Sequence, residues 1–122
     1  MAESFKELRV WRNAMDFAEK IFQRSKAFPP EEKYALTDQI RRASRAIGAQ
    51  IAEAWKKRRY AAAFVLKLND GEAEGAESQT WIEHPRRCNY WSADTAAALD
   101  SQAEAILAQL HVMIRDAHRW CL

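Results

Sequence analysis

The segment LTDQIRRASRAIGAQIAEAW, residues 36–55, decides the fold that this sequence predicts. Its apolar residues recur at steps of four and three, namely Leu36, Ile40, Ala43, Ile47, Ile51 and Ala54. Such spacing places one apolar stripe along an α-helix and leaves the other faces to charged and polar side chains. The pattern therefore indicates a helix that packs against other helices at a shallow angle.

Three further stripes with helical spacing flank this segment. They are Trp11, Ala14, Met15, Ala18, Ile21 and Phe22; then Phe64, Leu68, Gly71, Gly75, Ser78 and Ile82; and finally Leu99, Ala103, Ile106, Leu110, Met113, Ala117 and Trp120. Phe28-Pro29-Pro30 ends the first helix, with Pro30 suited to the first position of the second. We expect the third helix to start near Tyr60 and to end or kink at Pro85, with residues 84–90 forming the loop that follows. Ser92 is the expected N-cap of the fourth helix.

The composition supports the same architecture. Ala occupies 23 of 122 positions, whereas Gly and Pro contribute only three residues each. Such a composition favours helices joined by short connections, and the length suits one hydrophobic core. We expect an all-α, antiparallel up-down-up-down four-helix bundle that forms a single domain over residues 1–122.

Net charge, cysteine spacing and hydropathy limit the cellular location and the partners that we expect for this protein. Nineteen basic and seventeen acidic residues leave a formal charge of +2, which by itself indicates no polyanion partner. Cys88 and Cys121 form no CxxC pair. The first residues lack the apolar run of a signal peptide. No uncharged run reaches the ~20 residues of a membrane span. We expect a cytoplasmic protein with reduced thiols and no membrane partner.

Catalytic and metal sites have weak support in the sequence. Trp81, Ala108 and Arg115 stand three residues before the three histidines, so the Glu-x-x-His motif of di-iron bundles is missing. His84 with Cys88, and His118 with Cys121, are each half of a zinc site, but the two halves lie about 40 Å apart along the fourth helix. No Gly-x-Ser-x-Gly elbow or phosphate loop is present. We predict no enzyme, metal, cofactor or small-molecule substrate, with an intersubunit enzyme site as a remote alternative.

Two groups of basic residues lie on the second helix. If helices two and three turn near residues 59 and 60, residue numbers at the same level sum to about 119. Arg42 then faces Glu77, Arg45 faces Glu74, and Arg41 also reaches Glu77. We predict that these five residues form structural ion pairs, with phosphate binding by the arginines as the alternative.

The second basic group, Lys56-Lys57-Arg58-Arg59, has no level carboxylate on the third helix. One interpretation is that these cations complement the helix dipole at a C-terminus. The other is that they bind the phosphate backbone of RNA or DNA, with an affinity that is multiplied when copies assemble.

The second helix also carries a family resemblance. Gln39-Ile40-Arg41-Arg42-Ala43, Ile47 and Ile51-Ala52-Glu53 resemble the signature of the bacterial four-helix-bundle family related to ribosomal RNA intervening-sequence proteins. This family is also similar to the accessory variability determinant of diversity-generating retroelements. Further matches are Phe5-x-x-Leu8-x-Val10-Trp11, Phe28-Pro29 and Glu77-x-Gln79-Thr80-Trp81-Ile82. The chain departs from the pattern at Ala46, Gln50 and Ala54, where the family has Ser, Asn and Gly, and at Pro85.

The resemblance implies an antiparallel bundle that assembles into a homopentameric ring and has no known enzymatic activity. Several apolar residues fall outside the assigned stripes, which also favours assembly because monomers rarely expose such patches. We predict a non-enzymatic homo-oligomeric scaffold or interaction protein, with Trp55 and Trp81 at the interface. The alternative is a nucleic-acid-binding module with a multivalent basic surface.

Overall fold

A computed structural model describes residues 2–122 and shows four α-helices in that range. They are α1 (Arg9–Ser25), α2 (Asp38–Lys56), α3 (Ala61–Arg87) and α4 (Ala93–Arg115). Each helix packs against the next, and α4 packs against α1, which closes an antiparallel bundle. The predicted all-α four-helix bundle is confirmed. Residue 1 of the predicted domain lies outside the described residues.

The predicted apolar stripes of α1–α4 supply most of the core. Phe17, Ile21 and Ile40 are fully buried, as are Ile47 and Leu68. The small residues Gly71, Gly75 and Ser78 are buried along α3, and the two glycines let Leu110 and Leu107 of α4 approach closely. Most stripe residues therefore face inward, but Met15 of the predicted α1 stripe is 46% exposed, so its predicted place in the core is wrong.

The connections differ from the predicted helix ends in three places. Pro30 begins a turn of 3-10 helix, Pro30–Glu32, which a π-type turn at Lys33–Thr37 joins to α2. Pro85 lies inside α3 and is buried, so the helix continues to Arg87 and the loop is shorter than predicted. A proline this close to a helix end displaces few backbone hydrogen bonds. The fourth helix ends at Arg115, and a separate 3-10 turn covers Ala117–Arg119.

Capping groups fix the α3–α4 connection. Asn89, at φ 62°, adopts the left-handed conformation that commonly follows a helix C-terminus. The Ser92 hydroxyl accepts a hydrogen bond from the Thr95 backbone N–H at 3.1 Å, which confirms the predicted N-cap. The Trp91 indole then donates to the Arg24 carbonyl at 3.0 Å, so this connection is held against the end of α1.

Candidate nucleic-acid interface at the basic end of the bundle

The Lys56–Arg59 cluster lies at the turn from α2 to α3, and one of its four side chains is anchored. The Arg58 guanidinium carbon lies 3.5 Å from the centre of the Trp55 ring, and its Nε donates to the Trp55 carbonyl at 2.8 Å. The Arg58 carbonyl accepts a hydrogen bond from the backbone N–H of Leu122 at 3.0 Å. Arg58 therefore stabilises the turn and holds the C-terminal residue against it.

The other three members of the cluster are exposed. Within residues 2–122 no carboxylate lies within salt-bridge distance of Lys56, Lys57 or Arg59. Tyr60 follows directly and leaves 66% of its surface exposed. Cations beside an accessible aromatic ring are the groups that bind single-stranded nucleic acid, through phosphate contacts and base stacking.

The bundle topology brings more cations to this end. Residues 2–12, 56–62 and 113–122 lie there together, because α1 and α3 begin where α2 and α4 finish. These three segments hold nine of the nineteen Lys and Arg residues but only three of the seventeen acidic residues. The rest of the chain is therefore net negative, and the small overall charge conceals a strong polarity along the bundle.

The arginines of α2 have different partners, and only Arg42 forms the predicted ion pair. Its Nη2 lies 3.2 Å from the Glu77 Oε2. The Arg42 side chain is exposed and that of Glu77 is partly exposed, which makes the pair weaker than a buried one. Arg41 instead donates through Nε to the Ser25 hydroxyl at 2.7 Å. The ion pair predicted for Arg41 is wrong.

Arg45 and Glu74 do not form the predicted ion pair either. The guanidinium carbons of Arg41 and Arg45 lie 4.6 and 5.2 Å from the centre of the Phe22 ring, so both arginines lean towards α1. Glu74 keeps a buried Oε2 with no hydrogen-bond partner in the described residues. Its pKa is raised, first by burial and then by the neighbouring Glu77. The Arg45–Glu74 prediction is therefore wrong, because Phe22 offers Arg45 an aromatic face.

The two tryptophans predicted at an interface occupy different environments. Trp55 is 4% exposed and belongs to the core of its own chain, so its predicted place in an oligomer interface is wrong. The indole is needed inside, where it supports Arg58. Trp81 is half-buried on α3, and its Nε1 donates to the Glu77 carboxylate at 3.0 Å. Its interface role stays a prediction.

Cys88 precedes α4 and Cys121 follows it, so the two His/Cys pairs lie at opposite ends of that helix. Both thiols are free, and within residues 2–122 no three His, Cys, Asp or Glu side chains are grouped as metal ligands. In that same range no helix is long and apolar enough to cross a membrane.

Comparison with known proteins identifies the family. Residues 6–112, most of the chain, match the 23S rRNA-intervening sequence protein family. The chain belongs to this family. A crystal structure of a Bacteroides thetaiotaomicron protein of unknown function from the S23 ribosomal protein family is also similar, with a TM-score of 0.78 and 28% identity. The match covers 87% of this chain and 98% of that one. No curated protein matches the sequence.

One departure from the intervening-sequence protein pattern has a structural role here. Gln50 replaces the family Asn, and its Oε1 accepts a hydrogen bond from the Lys67 Nζ at 3.3 Å. The same ammonium lies 3.4 Å from Glu53. The longer side chain therefore links α2 to α3 on the face where Arg42 also reaches across.

Two outward stripes of uncharged residues on this intervening-sequence protein were not predicted from the sequence. On α3 the exposed residues Ala62, Leu66, Asn69, Ala73, Ala76 and Thr80 carry no charge. On α4 the same is true of Ala98, Ser101, Ala105, Ala108 and Val112. The corresponding line on α1 is mostly charged, at Arg9, Arg12, Asp16, Glu19 and Gln23. A count of charged residues on each predicted outward face would have revealed the difference.

Proposed function

We propose that this protein is a non-enzymatic homo-oligomeric interaction protein, assembled as a ring in which α3 of one copy packs on α4 of the next. The uncharged outward stripes of α3 and α4 carry the proposal. Each contains one large exposed apolar side chain, Leu66 at 60% exposure and Val112 at 43%. Small residues around each of them let a second helix approach closely.

The arrangement of the two stripes supports a ring. They lie on adjacent helices and have different sequences, so a contact between them is heterologous, and repeated heterologous contacts close into rings when the rotation permits. Family resemblance favours five copies. Charged side chains on the outward line of α1 keep that face in water.

The test is molar mass by light scattering. Wild type is expected well above the 14.1 kDa monomer, at about 70 kDa for five copies. Leu66→Glu and Val112→Glu are expected to dissociate the oligomer because each buries a charge at the contact. Met15→Glu is the matched control, since Met15 is also exposed but lies on α1. A wild-type monomer at micromolar concentration, or equal effects of all three variants, would contradict the assembly.

A second function is supported by the basic end, defined above by residues 2–12, 56–62 and 113–122. We propose that Lys56, Lys57 and Arg59 contact the backbone of single-stranded RNA or DNA, with Tyr60 as a stacking surface. Assembly would repeat this weak contact in every copy and raise the overall affinity. Phosphate contacts carry no base specificity, so the preference among sequences is expected to be small.

The test compares a Lys56→Gln, Lys57→Gln, Arg59→Gln triple variant with wild type in binding to a labelled 20-nucleotide RNA. Helicity and molar mass are measured first. Loss of three phosphate contacts should lower the slope of log affinity against log salt by about 2, given roughly 0.7 per contact. Arg58 is left unchanged because it stabilises the turn. If the affinity and the slope are unchanged, the cluster does not contact RNA and is only a solvated helix end.

A further inference from the structure

Three cations surround one aromatic ring at the other end of α2. The Lys26 Nζ lies 4.9 Å from the centre of the Phe22 ring, and the guanidinium carbons of Arg41 and Arg45 lie 4.6 and 5.2 Å from it. Lys26 and Arg45 are exposed, and Arg41 is half-buried. These four residues are called the Phe22 cluster below. It stands about 20 Å from the Lys56–Arg59 turn along α2.

The Phe22 cluster holds positive charge without a carboxylate. In residues 2–122 none of its three cations has an acidic partner within salt-bridge distance. By contrast, two cations at the α2–α3 contact are paired, since Arg42 lies beside Glu77 and Lys67 beside Glu53. Glu19, one turn before Phe22, accepts a hydrogen bond from Gln23. Like charges one helical turn apart, as at Arg41 and Arg45, repel each other and disfavour the helix.

One of the three cations is held in place in advance. Ser25 is 2% exposed; its hydroxyl donates to the Phe22 carbonyl at 2.9 Å and accepts from the Arg41 Nε at 2.7 Å. Within the described residues this is the hydrogen bond that the Arg41 guanidinium makes, so its terminal NH2 groups remain for a ligand. A guanidinium fixed through Nε presents a planar pair of donors that matches two phosphate oxygens.

We propose that the Phe22 cluster is a second phosphate-binding site, which engages the backbone of single-stranded RNA. This inference rests on the nucleic-acid contact proposed for the basic end and adds a site at the opposite part of the same helix. Arg41 supplies the oriented guanidinium, Arg45 and Lys26 supply further charge, and Phe22 holds the three together. An RNA strand that follows α2 would contact both the Phe22 cluster and the Lys56–Arg59 turn.

The experiment measures binding of a labelled 20-nucleotide oligouridylate by fluorescence anisotropy at several salt concentrations. One variant is Arg41→Gln with Arg45→Gln. A second variant, Lys26→Gln with Arg45→Gln, keeps the Ser25–Arg41 hydrogen bond. It tests the phosphate-binding site even if the first variant fails to fold. The control is Lys33→Gln with Arg42→Gln, which removes two charges from the same part of the chain but leaves the Phe22 ring untouched.

Both cluster variants are expected to weaken binding at least tenfold and to lower the salt slope by about 1.4, for two lost contacts. The control should stay within about twofold, as expected when only long-range charge changes. Equal effects in cluster and control variants would overturn the site, while loss of binding in the Lys56–Arg59 triple variant alone would leave the basic-end proposal standing. A fall in oligomer mass without loss of RNA binding would show that the cations pair with another copy, which also overturns it. Wild type that binds no RNA at 50 mM salt would overturn both nucleic-acid proposals.

Discussion

Arg42 on α2 and Glu77 on α3 stand at the same level of the bundle, and the Arg42 Nη2 lies 3.2 Å from the Glu77 Oε2. Their numbers sum to 119, as expected for two antiparallel helices that turn at residues 59 and 60. The same carboxylate oxygen accepts a hydrogen bond from the Trp81 indole at 3.0 Å. Glu77 therefore connects a charge on one helix to an aromatic residue on its own helix.

Because the two partners are exposed by 60% and 39%, we expect Arg42→Ala to cost less than about 1 kcal/mol of unfolding free energy. Glu77→Ala should cost more, by about 1 kcal/mol, because it also leaves the half-buried Trp81 N–H without its acceptor. Urea unfolding of both variants and of the double variant measures the difference. A loss above about 2 kcal/mol for Arg42→Ala would contradict the assignment of this pair as a weak surface contact.

Two glycines of α3 offer a matched pair of substitutions. A Cβ on Gly71 would lie 3.5 Å from Leu110 and 3.6 Å from Gln50, which are ordinary contact distances. Gly71→Ala is therefore expected to stabilise the protein by roughly 0.5–1 kcal/mol, the helix-propensity gain of Ala over Gly. Thermal and urea unfolding provide the measurement.

At Gly75 the same Cβ would lie 2.8 Å from the Leu107 Cδ2. Leu107 must then rotate, so Gly75→Ala should gain less than Gly71→Ala, and Gly75→Leu should lose about 1–3 kcal/mol through overpacking. If Gly75→Ala proves the more stabilising of the two alanine variants, the close approach of α4 to α3 at this point is wrong.

Glu74 provides a pH-dependent prediction. Burial, with the nearby Glu77, raises its pKa above the usual 4.5, so the folded protein binds a proton here more readily than the unfolded chain. Stability from this group is therefore greatest below pH 4.5 and falls as pH rises through the raised pKa. Glu74→Gln should stabilise the protein at pH 7, by about 1 kcal/mol, because it removes a charge with an unpartnered oxygen.

The advantage of Glu74→Gln should disappear on acidification well below pH 4.5, where Glu74 is protonated in both the folded and the unfolded state. Glu72→Gln is the control, since it removes the same charge from α3 at a residue whose carboxylate accepts a hydrogen bond from Asn69. Thermal unfolding between pH 3 and 8 separates the two. A constant difference between Glu74→Gln and wild type across this range would contradict the raised pKa.

The fold was predictable because each helix repeats its apolar residues at a spacing that only an α-helix can bury on one side. The position of Arg42 opposite Glu77 was predictable because it depends only on where the chain turns between α2 and α3. The choice of partner by Arg41 and Arg45 did not, because Phe22 lies on α1 and no counting rule relates α1 to α2 across a connection of irregular turns. Trp55 was misplaced for a related reason: its position beside the α2 stripe leaves open whether the core extends that far round the helix.

The candidate sites were predictable to a different degree. Lys56–Arg59 stands out in the sequence, but the anchoring role of Arg58 depends on the distant Leu122. The Phe22 cluster combines two close pairs, Phe22 with Lys26 and Arg41 with Arg45, and the two pairs are 15 or more positions apart in the sequence. In the sequence these charges look balanced by nearby acidic residues, but the structure shows that Glu19 accepts a hydrogen bond from Gln23 and Glu32 from Tyr90.

The contact between Tyr90 and Glu32 joins the two connections at the end of the bundle opposite the basic end. The Tyr90 hydroxyl donates to the Glu32 carboxylate at 2.9 Å, and this bond is the main cause that raises the Tyr90 pKa to about 12. The folded protein therefore holds the phenolic proton more tightly than the unfolded chain, so the stabilisation is complete below pH 10 and is lost between pH 10 and about 12.

Tyr90→Phe should lower the melting temperature at pH 8, and the deficit should vanish by pH 12. Tyr60→Phe, at an exposed tyrosine, controls for the general effect of alkali, and ultraviolet titration should show one of the three tyrosines ionising late in wild type but not in Tyr90→Phe. If Tyr90 ionises near pH 10 and not near pH 12, the Tyr90–Glu32 hydrogen bond does not hold the two connections together in solution.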